Sequence, residues 1–497
     1  MCLKYEILEG YLLFVCQNIF FFIVYSMKRL NKLIRCKYDT PIYGVKTNSL
    51  EVEKGDLFIA VHGFNVDHHD YIMDAIERGA VAIISEKKID TLIPVVIVKN
   101  TNKVLKKVLK RFYEDIEKEF KFIGVTGTDG KTTTTTIISY ILQEIYDCCN
   151  MGTNGLFFRE YKKILDNTTP SMEKMYNYLL DLNKNGCKYV SMEASSEALL
   201  HKRLDTIKYN VGIITNITED HLNIHKTIDN YIESKGKLFK QVKHGGISIL
   251  NRDDKYYNDI LKYCHSKVFT YGMDVNSDFR ISKIKCQDMS TEFNILHNNR
   301  VFTVNTKLFG IYNVYNITAS FACCYLLGVN HNYILQKISE IDKISGRGEK
   351  LNFGQNFTIV LDYAHTSNAI EKILSTLSVD KKARIISITG SAGGREKEKR
   401  IRMGEVVSKY SDLVIFTTDD PRYEKPLDII SDLTTNIRKD NYIIIEDRKE
   451  AIYKALSIAA KDDIVVILGK GRDNYMAVLD KKIKYSDYDT IVSYFTK

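Results

Sequence analysis

Residues 124–133, Gly124-Val-Thr-Gly127-Thr-Asp-Gly130-Lys131-Thr132-Thr133, decide the fold. The apolar run Phe122 to Val125 leads into them, and Ile137, Ile138, Ile141, Leu142 and Ile145 follow at helical spacing. Strand, glycine-rich loop and helix in that order form a phosphate-binding loop, where backbone amides and a helix N-terminus face the anion. Gly127, Thr128, Asp129, Gly130, Lys131, Thr132 and Thr133 are therefore the expected ATP-binding run. Lys131 offsets charge on the β/γ-phosphates and the Thr132 hydroxyl holds Mg²⁺. Val125 stands where the strict pattern has glycine, so the match is the variant GxxGxxGKT.

Further apolar runs, each followed by a helical stretch, surround this core. Tyr189 to Met192 and Val211 to Thr215 extend the central block, and the alternation predicts a mostly parallel sheet covered on both faces. Upstream, Leu57 to Val61, Val81 to Ile84 and Val95 to Val98 read as strands of a small α/β domain, with a helix over Tyr71 to Arg78. Downstream, Phe357 to Leu361, Ala383 to Ile388, Leu413 to Thr417, Tyr442 to Ile445 and Ile464 to Leu468 each end in a polar or glycine-rich loop. Ligands of open α/β sheets bind at such strand ends. The prediction is three consecutive α/β domains: 27–117, a central P-loop domain over 118–345, and a Rossmann-like domain over 346–497.

At 497 residues, several domains are expected. The net charge of +9 suits polyanionic small molecules and equally a generic solvated surface. Ten Cys in 497 residues are too sparse for a secreted disulfide framework, which predicts reduced thiols in a cytoplasmic protein, and without CxxC spacing or His partners no zinc site is expected. Gly10 to Ser26 is apolar apart from Gln17 and Asn18, marginal against the roughly 20 residues of a membrane span. Met27-Lys28-Arg29 reads as a second start, which makes residues 1–26 an extension of doubtful translation; membrane association is not expected.

Two further motifs follow strands. Glu193-Ala194-Ser195-Ser196 puts a carboxylate at a strand end beside the P-loop, a place for Mg²⁺, although such an acid alone is more often surface decoration. In Thr215-Asn216-Ile-Thr-Glu219-Asp220-His221-Leu-Asn-Ile-His225, two His four apart allow a shared metal-binding helix face or a simple capping cluster. Lys235 sits in what reads, unaided, as one more amphipathic helix.

Taken together, GTDGKTT, NTTP (Asn167 to Pro170), ExSS, TNxxxDHLxxH, ESKxxLF, YNVYN, SGRGE, DYAHT, GGRxKxKR, DDPR and GKG resemble the Mur ligases in order and spacing over residues 40 to 490. Within them the chain looks like the branch that adds the third amino acid of the cell-wall peptide. That resemblance implies that Ser49 contacts the uridine nucleotide, with Asn48 and Leu50 in place of the usual Asp and Arg. It assigns Thr168, Thr169, Ser195, His201 (commonly Gln) and Arg203 to the muramoyl dipeptide. Glu193, His221 and Lys235 correspond to ligands of two Mg²⁺ ions, Lys235 as an N6-carboxylysine. Asn313 and Asn316 correspond to an adenine motif, and Arg347, Asp362 and His365 to residues closing over ATP. The incoming amino acid falls to Arg395, Asp419, Asp420, Pro421, Arg422, Gly469 and Asp473. Lys131, Lys235, His221 and Arg347 are the implied catalytic set.

The implied reaction joins an amino acid to UDP-N-acetylmuramoyl-L-alanyl-D-glutamate by ATP-driven amide formation. Arg422 suits the distal carboxylate of meso-diaminopimelate. Meso-diaminopimelate is therefore the expected third amino acid; the chain departs from the family pattern at Asp420, where Asn is usual, and at Gly469-Lys-Gly-Arg472-Asp473 in place of GKGHE, and the extra acid makes L-lysine the alternative. The partners expected are small molecules only, with no nucleic acid and a monomeric chain. A membrane-anchored P-loop ATPase, a folylpolyglutamate synthase, a ligase of another step and a non-catalytic relative are the rival readings.

Overall fold

The structure is a computed structural model that describes residues 27–63, 66–287, 290–378 and 383–496, together with the backbone of three short strands before residue 22. The question of residues 1–26 as anchor or mis-set start falls outside the described side chains. Among the described residues no helix is long and apolar enough to cross a membrane. The chain forms two compact units: residues 1–121, 170–188 and 198–207, and residues 122–169, 189–197 and 208–497.

The first unit holds a four-stranded parallel sheet, Gly44–Lys46, Asp56–Ile59, Ala82–Ser85 and Val95–Ile97, in that order. Asp56–Ile59 and Ala82–Ser85 are buried along their whole length, as expected of strands covered on both faces. Phe58, Ile72, Ala75 and Ile83 form its core. The helix Met172–Lys184 belongs to this unit, where the Thr47 hydroxyl donates to the buried Glu173 carboxylate at 2.7 Å. In the same unit His62, Asp67 and His69 converge with their ligand atoms within 4.8 Å of one another. His69 is already satisfied there: Nδ1 faces Asp67 Oδ1 at 2.5 Å and Nε2 accepts from the Glu86 amide at 3.1 Å. With Nε2 accepting, Nδ1 carries the proton and offers a metal no lone pair.

The second unit carries two sheets. One has eleven strands, parallel through its middle (Cys148–Gly152, Tyr189–Glu193, Lys121–Thr126, Tyr209–Ile214, Val242–Asn251, Lys267–Gly272, Phe279–Gln287). Antiparallel hairpins cap both ends: Gly155–Phe158 with Tyr161–Lys163, and Ser290–His297 with Arg300–Thr306. These hairpins are the departure from the predicted parallel pattern. Their one-face burial reads as alternation, buried and exposed in turn along Arg300–Thr306. Helices Lys131–Tyr146 and Ile311–Leu326 pack on this sheet around Ile137, Ile141, Val314, Ile317 and Phe321.

The second sheet has six strands: Glu349–Leu351, Thr358–Asp362, Ile464–Leu468, Ile385–Thr389, Leu413–Phe416 and Tyr442–Ile444. All pairings are parallel except the first. Two cores cover its faces, one around Val360, Ile370, Met403 and Val466, the other around Leu361, Ile388, Ile452 and Ile467. Fully burying each such side chain contributes about 1.5–3 kcal/mol. The C-terminal ends of these strands deliver the loops with Asp362, Arg395, Asp419 and Gly469.

Candidate active site

The P-loop follows the strand Lys121–Thr126 and enters the helix Lys131–Tyr146. Two glycines are obligatory. Gly127 (φ 144°) would place a Cβ 1.9 Å from Thr215 Oγ1, and Gly130 (φ 84°) would place one 2.3 Å from Asn316 Oδ1. The loop is clamped from the next strand end. The Asn216 side chain accepts from the Asp129 amide and donates to the Asp129 carbonyl, both at 3.1 Å, while Thr215 Oγ1 donates to the same carbonyl at 2.6 Å. The Thr128 hydroxyl faces Tyr231 Oη at 3.2 Å. Asn368 donates to Asp129 Oδ2 at 3.1 Å. Asn216, Tyr231 and Asn368 were not among the predicted site residues; Asn216, directly after an apolar strand, carried the signal.

Two lysines meet at one carbonyl. Lys131 Nζ donates to the Gly127 and Thr128 oxygens at 2.9 and 2.8 Å, and Lys235 Nζ donates to Gly127 O at 2.7 Å. Lys235 is 1% exposed and lies 4.2 Å from the centroid of the Tyr231 ring. Burial, then the neighbouring Lys131 charge, holds its amine well below the usual lysine range. Lys131 is lowered too, first by burial, with Glu193 opposing.

Around these lysines stand the predicted metal ligands. Glu193, 1% exposed, accepts from the Thr153 amide at 2.7 Å. The Thr169 hydroxyl donates to Glu193 O at 2.8 Å and accepts from the Ser195 amide at 3.2 Å, and Thr168 Oγ1 lies 3.1 Å from Thr153 Oγ1. His221 sits in the left-handed region (φ 56°) ahead of the short helix Leu222–His225. Its Nδ1 is buried without a hydrogen-bond partner among the described residues, 3.5 Å from Glu197 Oε1, and burial lowers its pKa to about 3, leaving a neutral imidazole. Asp220 Oδ2 lies 3.4 Å from His221 Nε2, and Lys399 donates to the other Asp220 oxygen at 2.8 Å. His225 faces elsewhere: its Nε2 lies 3.1 Å from Ser196 Oγ and its ring packs on Tyr231, while His221, at the N-cap of Leu222–His225, makes no side-chain cap hydrogen bond.

The residues predicted to close over ATP gather here as well. Arg347 Nη2 donates to Thr132 Oγ1 at 2.9 Å, and its guanidinium lies 4.7 Å from the Tyr363 ring centroid. Asp362 accepts from the Gly348 and Ala364 amides at 2.5 and 2.7 Å, yet burial raises its pKa to about 6. His365 Nδ1 lies 2.9 Å from Tyr363 O, and burial lowers its pKa. Asn313 and Asn316 are buried; Asn313 Nδ2 donates to Phe309 O at 2.9 Å and borders a pocket with Phe309, Arg347, Gly348 and Lys350.

The residues predicted to bind the incoming amino acid collect at the ends of the six-stranded sheet. Gly393 N donates to Asp420 O at 2.8 Å, and a Cβ on Gly393 would lie 2.0 Å from Pro421 O. A Cβ on Gly469 would lie 2.4 Å from Asp419 Oδ2. Lys470 Nζ lies 2.8 Å from Asp420 Oδ1 and 3.8 Å from Asp419 Oδ1. Asp473 has its pKa raised to about 6, by burial and against the pull of Lys470. Arg395 is half-buried and Arg422 exposed. Arg472, where the family motif has His, forks onto Glu349 at 2.8 and 2.6 Å over the Tyr488 ring. Beneath, Arg448 ties the strand ends together by donating to Thr418 O and Leu468 O, paired with the fully buried Asp487 at 2.7 Å.

In the first unit, Ser49 is 4% exposed at the start of the turn Ser49–Glu51, where its hydroxyl helps hold the Asp74 carboxyl below the usual range. His201 and Arg203 lie in that unit's 198–207 segment.

Residues 41–117 match the Mur ligase family catalytic domain, 125–324 the Mur ligase middle domain, and 346–471 the Mur ligase glutamate ligase domain. The chain is 35% identical over 455 residues to the UDP-N-acetylmuramoyl-L-alanyl-D-glutamate–2,6-diaminopimelate ligase of Halalkalibacterium halodurans, covering 90% of this chain and 93% of that one. It is 35% identical over 474 residues to the enzyme of that name from Clostridium tetani, covering 94% and 97%. A solved ligase of the same name superposes with a TM-score of 0.65 at 27% identity, over 95% of this chain and 99% of that chain. MurF from Acinetobacter baumannii shares the fold at TM-score 0.67 and 17% identity, over 92% and 94%.

Proposed function

Because the chain belongs to the Mur ligase family, we propose that it joins meso-diaminopimelate to UDP-N-acetylmuramoyl-L-alanyl-D-glutamate at the expense of ATP. The observation that carries this is the convergence of Lys131, Lys235, Glu193, His221 and Arg347 on one P-loop, with the Asp419–Arg422 loop at the ends of the adjoining strands. The relatives' names supply the substrate class.

The D-glutamyl carboxylate attacks the γ-phosphate of ATP, giving an acyl phosphate and ADP. The amine of diaminopimelate then attacks the acyl carbon, releasing phosphate and forming the amide. Anion repulsion is the main barrier to the first step, so fixed positive charge is the main need. Lys131 and Arg347 supply it on the two sides of Thr132. The donor set also suits hard divalent cations: a buried carboxylate (Glu193), a neutral imidazole with an unpartnered nitrogen (His221), a hydroxyl (Thr132) and Lys235. Bound Mg²⁺ screens the phosphate oxygens. Burial lowers the Lys235 pKa and so favours the unprotonated amine, which adds CO₂ with release of one proton; the resulting carbamate would join the set as an anion. Arg422 then meets the distal carboxylate of the amino acid, and Asp473 an ammonium.

The test is ADP release by purified protein with the nucleotide dipeptide and either meso-diaminopimelate or L-lysine. Turnover with diaminopimelate supports the reading. Turnover with lysine alone, or ATP hydrolysis indifferent to both, removes it.

A further inference from the structure

The loop that carries Arg422 is zipped to a β-hairpin, Tyr475–Val478 with Lys481–Lys484. Arg422 N donates to Ala477 O at 3.0 Å, Leu479 N donates to Arg422 O at 2.8 Å, and the Tyr423 hydroxyl bonds Asp480. Arg422 adopts φ 52°, a left-handed conformation that a non-glycine residue keeps only where its surroundings enforce it. Its side chain is exposed, and its guanidinium makes no hydrogen bond or ion pair among the described residues, so the backbone is what holds it.

Asp420 joins the two parts of this zipper. Its Oδ1 accepts from the Ala477 amide at 2.9 Å and from Lys470 Nζ at 2.8 Å. Lys470 is 1% exposed and nearer to Asp420 than to Asp419, so the acid and the lysine form a nearly buried pair. An unpaired acid here would attract a lysine ammonium. This one already has its cation.

We propose that Asp420 is a positioning residue: through Lys470 and the Ala477 amide it locks the hairpin onto the backbone of Arg422 and so aims that guanidinium, rather than recognising a lysine substrate. The proposal rests on the diaminopimelate reading above.

Wild type, Asp420→Asn and Asp420→Ala are compared with ATP, the nucleotide dipeptide, and meso-diaminopimelate or L-lysine titrated separately. Asn keeps an acceptor for Ala477 and loses the counter-ion; Ala loses both. The expected result is a KM for diaminopimelate raised about tenfold in the Ala variant, the usual scale for a lost charged hydrogen bond. The rise is smaller in the Asn variant, kcat falls less than KM rises, and the preference over lysine narrows. Amide hydrogen exchange at Ala477 and Leu479 quickens in the same order, a readout that global destabilisation does not confine to the hairpin. An unchanged diaminopimelate KM in the Ala variant overturns the proposal while leaving the reaction intact. Wild-type lysine turnover that Asp420→Ala abolishes overturns it too. A wild type that uses lysine alone removes the assigned reaction and the proposal together.

Discussion

The Arg347 guanidinium donates to the Thr132 hydroxyl at 2.9 Å, across 215 residues of sequence. A cation from the start of the C-terminal domain thus meets the P-loop where the transferring phosphoryl group belongs. Arg347→Ala is expected to lower kcat for ADP formation roughly a hundredfold, the scale for removing one transition-state donor, with a smaller change in the KM for ATP. Arg347→Lys, a point charge without the fork, recovers part of the loss. Steady-state ADP release measures both, and a change confined to KM counts against the role.

Lys235 and Lys131 share the Gly127 carbonyl, and burial, then the Lys131 charge, holds the Lys235 amine well below the usual lysine range, which favours the unprotonated form that reacts with CO₂. Protein equilibrated with ¹³C-bicarbonate should show one carbamate resonance, absent from Lys235→Ala. That variant is expected to be nearly inactive and partly rescued by millimolar acetate or formate, since a small carboxylate fits the vacated space. Full activity in the unrescued variant would contradict the assignment.

Asp473 has its pKa raised to about 6, mainly by burial. On the proposed reading its charged form would pair with a substrate ammonium, so binding would favour the deprotonated acid. Protonation therefore competes with amino-acid binding, and the KM for diaminopimelate should rise as pH falls through about 6 and stay flat above it. In Asp473→Asn the KM should be high and lack that inflection. A KM profile of the two proteins from pH 5 to 8 decides.

The P-loop, the strand ends and the placement of the residues after them were legible because each rests on a local pattern: an apolar run, then glycine or a charged residue. The terminal hairpins of the large sheet escaped because strands buried on one face alternate, and only position in the sheet reveals that. His225 shows the limit of spacing. Four residues after His221 is right for a shared face, yet the left-handed turn at His221 and the Ser196 hydroxyl send the two imidazoles to different tasks. Asn368 was silent, and Lys399 and Lys470 stood in the GGRxKxKR and GKG motifs without a readable role, because their partners lie far away in sequence. Asp420 read as a spare acid because its cation, Lys470, is found only in three dimensions.

Arg448 and Asp487 form a fully buried pair under the amino-acid loops. Removing one partner leaves an uncompensated charge, which costs about 3–5 kcal/mol. Arg448→Met is expected to lower the urea midpoint of the C-terminal domain accordingly and to raise the KM for the amino acid, because the Thr418 and Leu468 carbonyls lose their tie. A stable variant with unaltered KM would show that the tie does not position the loops.

The central claim is that a substrate carboxyl is phosphorylated before the amide forms. Nucleotide dipeptide labelled with ¹⁸O in its D-glutamyl carboxyl groups is incubated with the protein, ATP, Mg²⁺ and meso-diaminopimelate, and the phosphate and the nucleotide product are weighed by mass spectrometry. The account predicts one ¹⁸O in each phosphate released and a product heavier by one diaminopimelate residue. Unlabelled phosphate, or labelled phosphate without that product, would contradict it.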